Sequence, residues 1–426
     1  MGNAWDGHGG MTTFNVHDGL EEAMIRGYRS GFLTDVEYDQ LLDYKPPQEN
    51  ENPLNDIRLN LQETDYGTFL GDYEKELNKE ALKRRMQEKL AEEFEYIRCL
   101  ASPELAKFLD FVACKYMIAN VITVLREGLK NNVNMTNFLE EGDNFNPLGR
   151  FDDTVFRSLL NVENSAEGIA ELYRTVLLDT PIGPYFGKVV EALGGGDLKA
   201  LLGETSWDLV EMLLYRFYLE DFYAYCQSLG GETAECMGEI LEQIADHRSI
   251  SITYNSVSPG AMKGSKLLAQ PNHHVDRAML FPTFGTLYPY LLEKHQAGRR
   301  VGFFPISQLN ELRFSLSQFP QFKNLSLEPI MEGRDAPVNG NLNDLFKEQE
   351  IRLCELAFEG QFHYGMFYAY FRLKEQEIDN VEYIAYLTML GDINDQTKKS
   401  IHKVFSKASP WRRANQTYKT YCSQQY

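Results

Sequence analysis

An all-α protein is what the sequence predicts, and three observations predict it. Apolar residues recur every three or four positions over long stretches. Helix start and stop signals bracket those stretches. The segment that alternates like a strand, Ile250–Tyr254, is short and continues a helical pattern, so it reads as helix.

Taken in order, Leu82, Met86, Leu90, Phe94 and Ile97 mark one face of a long amphipathic helix. Ser102-Pro103-Glu104 opens the next: serine can cap, proline suits the first helical position, and glutamate favours the positive end of the dipole. That helix is expected to stop at about Gly128. Ser206 precedes a helix with Leu209, Leu213, Phe217 and Phe222 facing inward; Gly230-Gly231 ends it, and Thr233 can cap its successor. A last helical stretch runs from about Asn343 to Leu390, bent near Gly360. Breaks rich in Pro, Gly, Asn and acids fall at Pro46–Pro53, Gly142–Asp153, Ser256–Asp276 and Pro329–Asn343. Asn120-Val121-Ile122 and Asn380-Val381-Glu382 end similar helices about 260 residues apart, with Ser251-Ile252 near halfway. Repeat and breaks together suggest three helical units, 14–150, 151–275 and 276–391, followed by a basic C-terminal extension at 392–426.

A chain of 426 residues that is 43% hydrophobic can bury a sizeable core. The longest apolar run, Tyr116–Leu125, contains Asn120 and is too short to span a bilayer, so it reads as a buried helix. The N-terminus lacks the basic-then-apolar pattern of a secretory signal, and Asp6 stands where a myristoylation signal at Gly2 needs Ser or Thr. Six cysteines without a Cys-x-x-Cys describe neither a disulfide framework nor a zinc ribbon. Cys99, Cys114, Cys226, Cys236 and Cys354 lie in helical patterns and are expected to be buried in a reducing cytosol. Glycosylation sequons at Asn134, Asn324 and Asn415 would then be idle. A net charge of −20 is repelled by nucleic acid and by an anionic membrane leaflet. Against that background, Gln396–Tyr426 carries seven basic residues (Lys398, Lys399, Lys403, Lys407, Arg412, Arg413 and Lys419) and no acid. It reads as a solvated, disordered tail. The alternative is contact with an acidic partner or anionic lipid.

No catalytic constellation stands out. Gly260–Lys266 has the wrong glycine spacing and Lys-Ser order for a phosphate loop, and Gly194–Gly196 follows a helical segment and reads as a breaker. His273, His274 and Asp276 could ligate zinc but lie in a Pro/Asn-rich loop without a further obvious ligand, and read as solvated. Asp65 and Tyr66 can cap or close a turn. Glu242 and Asp246 share a helix face beside His247 and Arg248, and read as a solvated charged face with helical ion pairs.

Residues 362–377 carry the densest pattern. Phe362, His363, Met366, Phe367 and Tyr370 recur at helical spacing as one aromatic face, and such stripes are more often core than site. Lys374, Glu375, Gln376 and Glu377 would carry the same helix toward solvent or a polar partner. The string closely resembles the C-terminal signature of the subunit d family of V-type proton ATPases, a membrane-sector family with relatives in the archaeal A-type ATPases. Gln62–Leu70, Ala106–Phe111, Leu177–Pro181, Leu229–Ala234 and Leu280–Pro289 resemble family strings in the family order.

The resemblance implies three related bundles in a pseudo-threefold arrangement forming a shallow funnel. It implies a non-catalytic rotor subunit without cofactor, metal or small-molecule substrate. That subunit would join the central stalk to the proteolipid ring and couple ATP hydrolysis to proton translocation. The place implied is the cytosolic face of vacuolar or other acidic-organelle membranes, held there by protein partners and with no nucleic acid bound. Phe362, His363, Tyr364, Tyr368, Lys374, Glu375 and Glu377 are then the expected partner interface. The basic tail and a somewhat long Ser256–Asp276 loop depart from the family pattern. The rival readings are an all-helical cytosolic scaffold or trafficking adaptor, and a helical hydrolase built around His273 or His363.

Overall fold

The structure, a computed structural model, describes residues 11–43, 52–71, 78–128, 145–149, 180–193, 207–257, 277–288, 295–296, 299–300, 309–317, 319, 322, 342–395 and 397–406. The described residues are built from helices: α1 (Met11–His17), α2 (Gly19–Tyr28), α3 (Asp35–Leu42), α4 (Asn55–Gln62), α5 (Gly67–Gly71), α6 (Lys79–Leu100), α7 (Pro103–Gly128), α8 (Gly183–Ala192), α9 (Trp207–Leu229), α10 (Gly231–Val257), α11 (Leu309–Ser317), α12 (Leu342–Glu359) and α13 (Gly365–Leu390). A two-residue antiparallel ladder pairs His295 with Arg300 and Gln296 with Arg299. The all-α class holds. Ile250–Tyr254 lies inside α10, as expected.

Helix ends follow local chemistry. The Asn78 side chain accepts from the Ala81 amide at 2.6 Å and starts α6. Thr34 and Glu37 form a reciprocal capping box at α3. The Leu105 amide donates to Ser102 Oγ at 3.3 Å, and α7 then runs to Gly128. Gly230 and Gly231, both at positive φ, turn α9 into α10, and Gly391 ends α13 at φ 68°. The expected bend near Gly360 is a full break between α12 and α13.

Chain contacts divide the protein into two compact units. The first takes its described residues from Asp110–Phe346; the second from His8–Leu109 and Lys347–Tyr426. In the first unit, α9 packs on α10 and α8 on α9. Phe222 stacks on Phe111 with ring centroids 5.3 Å apart, Leu209 and Leu213 are buried, and Phe217 is half-buried. Asn120, within the apolar run of α7, donates to the Asn146 and Gly149 carbonyls at 3.0 and 2.9 Å and accepts from the Asn146 amide. The polar side chain thus closes the 145–149 loop. Gly149 is required there, because a Cβ would lie 2.4 Å from the Tyr116 backbone.

In the second unit, α6 and α13 run antiparallel. Lys83 reaches Asp379 and Glu382 at 3.2 and 2.6 Å near one end, and Phe94 meets Phe371 at 5.0 Å near the other. The chain after α13 is built into this unit as far as Ser406: Ile401, Val404 and Ser406 are buried. The disordered, solvated tail expected from Gln396 therefore does not describe residues 401–406, while Lys398 and Lys399 just before them are exposed. Residues 407–426 lie outside the described residues, so the basic positions Lys407, Arg412, Arg413 and Lys419 are among those not described. Of the cysteines expected to be buried, Cys99 is exposed, on the side of α6 away from the Leu82–Ile97 stripe, and Cys236 is half-buried.

Candidate functional site

The aromatic signature begins before its helix. Phe362 precedes α13 in a left-handed conformation at φ 62°, a conformation rare for a bulky residue, so it does not continue the helical face of Met366, Phe367 and Tyr370. The turn is held from the second helix of the chain: Arg26 donates to the Phe358 and Gly360 carbonyls. A Cβ on Gly360 would come within 2.4 Å of His363 Nε2, so only glycine lets that ring in. His363 is buried and its pKa is lowered to about 4. Desolvation is the main cause and the Arg26 charge adds to it, while a hydrogen bond with the Ala357 backbone opposes them. The Tyr364 hydroxyl donates to Asp18 at 2.8 Å, and its ring lies 5.5 Å from Phe108. Tyr368 is buried, and burial pushes its hydroxyl pKa up.

Further along α13 the charged stretch turns inward rather than toward solvent. Lys374 is 1% exposed and Glu377 0%. Lys374 Nζ donates to Glu377 Oε1 at 2.8 Å and to the Gly31 carbonyl at 2.6 Å. It also lies 4.8 and 4.6 Å from the ring centroids of Phe32 and Tyr66. Glu377 accepts in addition from the Tyr66 hydroxyl at 2.7 Å and the Leu33 amide at 2.6 Å. A buried ion pair is tolerated when hydrogen bonds saturate both ions, and this one has two donors beyond its lysine. Three residues on, Asn380 donates to Tyr38 Oη at 3.1 Å and to the His402 carbonyl at 2.8 Å. Asp65, beside Tyr66, pairs with the buried Lys89 at 2.6 Å, and a Cβ on Gly31 would overlap its carboxylate. Two strings far apart in sequence, 62–70 and 362–377, thus meet at one ion pair.

The first unit has a corresponding node, in which no cation is a partner among the described residues. Asp246 is 2% exposed and accepts from the Thr286 hydroxyl and, at 2.9 Å, from the Leu287 amide. Burial raises its pKa to about 6 against the lowering effect of those hydrogen bonds. A Cβ on Gly285 would sit 2.6 Å from Asp246 Oδ1. Next to this clip, Tyr223 stacks on Phe284 at 4.3 Å and donates to Glu242 at 2.9 Å, and Glu220 accepts from Thr283. The described part of the string 280–289 is therefore a loop fastened to α9 and α10. His247 stacks on Phe346 at 3.9 Å, and Arg248 covers the Tyr215 ring at 4.8 Å. The expected solvated charged face is corrected: its carboxylate and imidazole point into the unit, where a loop 40 positions away supplies the donors.

Of the seven residues expected at a partner interface, His363, Tyr364, Tyr368, Lys374 and Glu377 are buried within the second unit. Phe362 and Glu375 are half-buried, Glu375 paired with Arg372. Sequence reasoning passed over Thr286, Tyr66's hydroxyl and the Leu33 amide as partners, since nothing local marks them. His273, His274 and Asp276, Gly260–Lys266 and Gly194–Gly196 lie outside the described residues. Among the described residues no group of three or more His, Cys, Asp or Glu is placed to hold a metal ion. The carboxylates at both nodes are taken up by the chain's own donors, an arrangement that fastens helices and loops together and presents no free nucleophile–base pair.

Fold and nodes together define a helical protein whose buried charges fasten its segments to one another. A family model described as ATP synthase (C/AC39) subunit matches residues 22–392. The chain is 33% identical over 375 residues to the probable V-type proton ATPase subunit d of Oryza sativa subsp. japonica, covering 88% of this chain and 93% of that protein. It is 34% identical over 378 residues to V-type proton ATPase subunit d of Dictyostelium discoideum (89% and 93%) and 32% over 376 residues to that of Saccharomyces cerevisiae (87% and 93%). This chain belongs to the ATP synthase (C/AC39) subunit family.

Proposed function

We propose that this chain is a non-catalytic rotor subunit of a V-type proton ATPase, joining the central stalk to the proteolipid ring so that ATP hydrolysis drives proton translocation and organelle acidification. The observation that carries this reading is the likeness, over nearly the whole of both chains, to relatives named V-type proton ATPase subunit d. In this reading the helical repeats 14–150, 151–275 and 276–391 surround a pseudo-threefold axis as a funnel on the cytosolic face of a vacuolar or other acidic-organelle membrane. An adaptor that transmits torque needs a stiff body, and the saturated Lys374–Glu377 pair supports that by tying Gly31, Leu33 and Tyr66 to one helix of the second unit.

Attachment to the membrane is assigned to protein partners. No described helix is long and apolar enough to cross a membrane, and a net charge of −20 opposes an anionic leaflet. Partner contact is assigned to residues with surface to offer: Phe362 and Glu375 from the signature, together with the exposed Val16, Leu20, Tyr96, Leu100, Tyr386, Met389 and Leu390 of the second unit.

A tagged pull-down from gently solubilised membranes tests the proposal, with co-purifying chains identified by mass spectrometry. Recovery of proteolipid-ring and central-stalk subunits at near-equal stoichiometry is expected. A chain that stays soluble and alone would overturn it.

A further inference from the structure

The family match ends at Asp392, yet the chain beyond it is fastened back onto the second unit. The Phe405 ring lies under the Arg29 guanidinium at 4.5 Å and meets Phe32 and Phe358 edge-on at 5.1 and 5.5 Å. The Phe405 amide donates to Glu355. Lys403 pairs with Asp39 at 2.9 Å, the Ser406 hydroxyl donates to Asp35 at 2.7 Å, and the His402 carbonyl accepts from Asn380. These ties reach α3, α12 and α13, elements drawn from both ends of the chain. Phe32 in turn covers Lys374.

We infer that Ile401–Ser406 is a clasp: it closes the second unit over Phe32, and its opening, without unfolding of the helices, admits water to the Lys374–Glu377 pair. Three features favour a clasp over an ordinary piece of core. The described polar ties are separate hydrogen bonds, two of them to carboxylates, and one partly exposed ion pair, spread over three helices rather than joined in a cooperative ladder. The strap itself is not helical, so it has no ladder of its own to melt. Phe405 stands at φ 53°, a conformation a phenylalanine holds only while its surroundings impose it, so release relaxes the backbone. Segments with these properties open locally at a lower free energy than the helices they cover.

The Leu33 amide, bonded to Glu377, reports directly on the covered pair. Hydrogen exchange followed by mass spectrometry on the full-length chain carrying Phe405→Ala tests the clasp. Exchange across residues 29–34 is expected to speed up by about tenfold or more, with α3, α6, α13 and the first unit unchanged. Unchanged exchange over 29–34 would make the strap a passive tail, and a joint loss of protection in α6 and α13 would make Phe405 part of the core; either result overturns the inference. If Phe405→Ala does not fold, the Lys403→Ala/Ser406→Ala double variant decides the matter. It removes two polar ties and leaves the ring in place. Faster exchange confined to 29–34 supports the clasp, and unchanged exchange there refutes it.

Discussion

Glu377 and Asp246 are both carboxylates sunk in the interior of a helical unit, yet their surroundings differ in kind. Glu377 meets an ammonium, a phenol and a backbone amide. Asp246 meets a hydroxyl and a backbone amide, and among the described residues no cation. The first arrangement keeps two charges inside and makes each depend on the other. The second leaves one carboxyl poorly solvated, and its affinity for a proton rises. Burial alone therefore says little about a carboxylate's role; the nature of the donors decides whether it acts as half of an ion pair or as a titrating clip.

The largest expected effect comes from splitting the pair. Glu377→Ala strands Lys374 in the interior and is expected to cost about 3–5 kcal/mol, since removing one partner leaves an uncompensated charge. Lys374→Glu should be at least as damaging, because it sets two carboxylates against each other. Urea unfolding followed by circular dichroism measures both. A loss below about 1 kcal/mol, the range of an exposed ion pair, would break the comparison.

Next in size is a pair of opposite pH dependences. Asp246 has a folded pKa of about 6, above its ordinary 3.8. The folded unit thus binds the proton more tightly, and the stabilisation present below pH 3.8 is lost as pH rises through 6. His363 behaves in the reverse sense: its folded pKa is about 4, below the ordinary 6.5. The stability it contributes is present above pH 6.5 and is lost as pH falls through 4. Shifts of about two to two and a half units correspond to at most about 3–3.5 kcal/mol each. Protection factors from hydrogen exchange, corrected for intrinsic rates, should fall with rising pH in α10 and fall with declining pH around α13. Asp246→Asn should flatten only the first trend. Parallel trends in the two units would refute the assignment.

Removing the Asp246 carboxylate altogether should cost somewhat less. Asp246→Ala leaves the Thr286 hydroxyl and the Leu287 amide without their acceptor, at about 1–3 kcal/mol. Protection at Leu287 should drop first, which exchange at that amide checks. The smallest effect on stability is expected at the exposed end of α13. Met389→Ser with Leu390→Ser should stay within about 0.5 kcal/mol per site in urea unfolding, as surface substitutions do. The same variant should lower recovery of partner subunits in the pull-down; undiminished recovery would remove that face from the interface.

Much of the helical framework was legible in the sequence. The span of α7, the glycine junction between α9 and α10 and the helical state of Ile250–Tyr254 were all readable, because periodicity and capping act within a turn or two of chain. Less legible was the candidate site. Lys374 and Glu377 could be seen to share a helix face at i and i+3, but that spacing suits a solvated pair equally well. They are interior because Gly31–Leu33 and Tyr66, more than 300 positions earlier, close over them. Asp246 was misread for the same reason, its donors arriving from the 285–287 turn. Phe362 looked helical by spacing, yet the Arg26 anchors on Phe358 and Gly360 hold the turn before it, and its φ is positive. The strap after Asp392 looked like tail by its charge, but Phe405 and Val404 found apolar cover.

By itself the sequence determined the secondary-structure class, the ends of the long helices and the family, since these depend on residue order over short windows and on strings that can be matched directly. Only the tertiary structure decided which charged residues face water. Whether a helix face is solvated depends on what packs against it, and the groups that pack against Lys374, Glu377 and Asp246 come from segments tens to hundreds of residues away. Desolvation acts through space, whereas a sequence pattern records only neighbours along the chain.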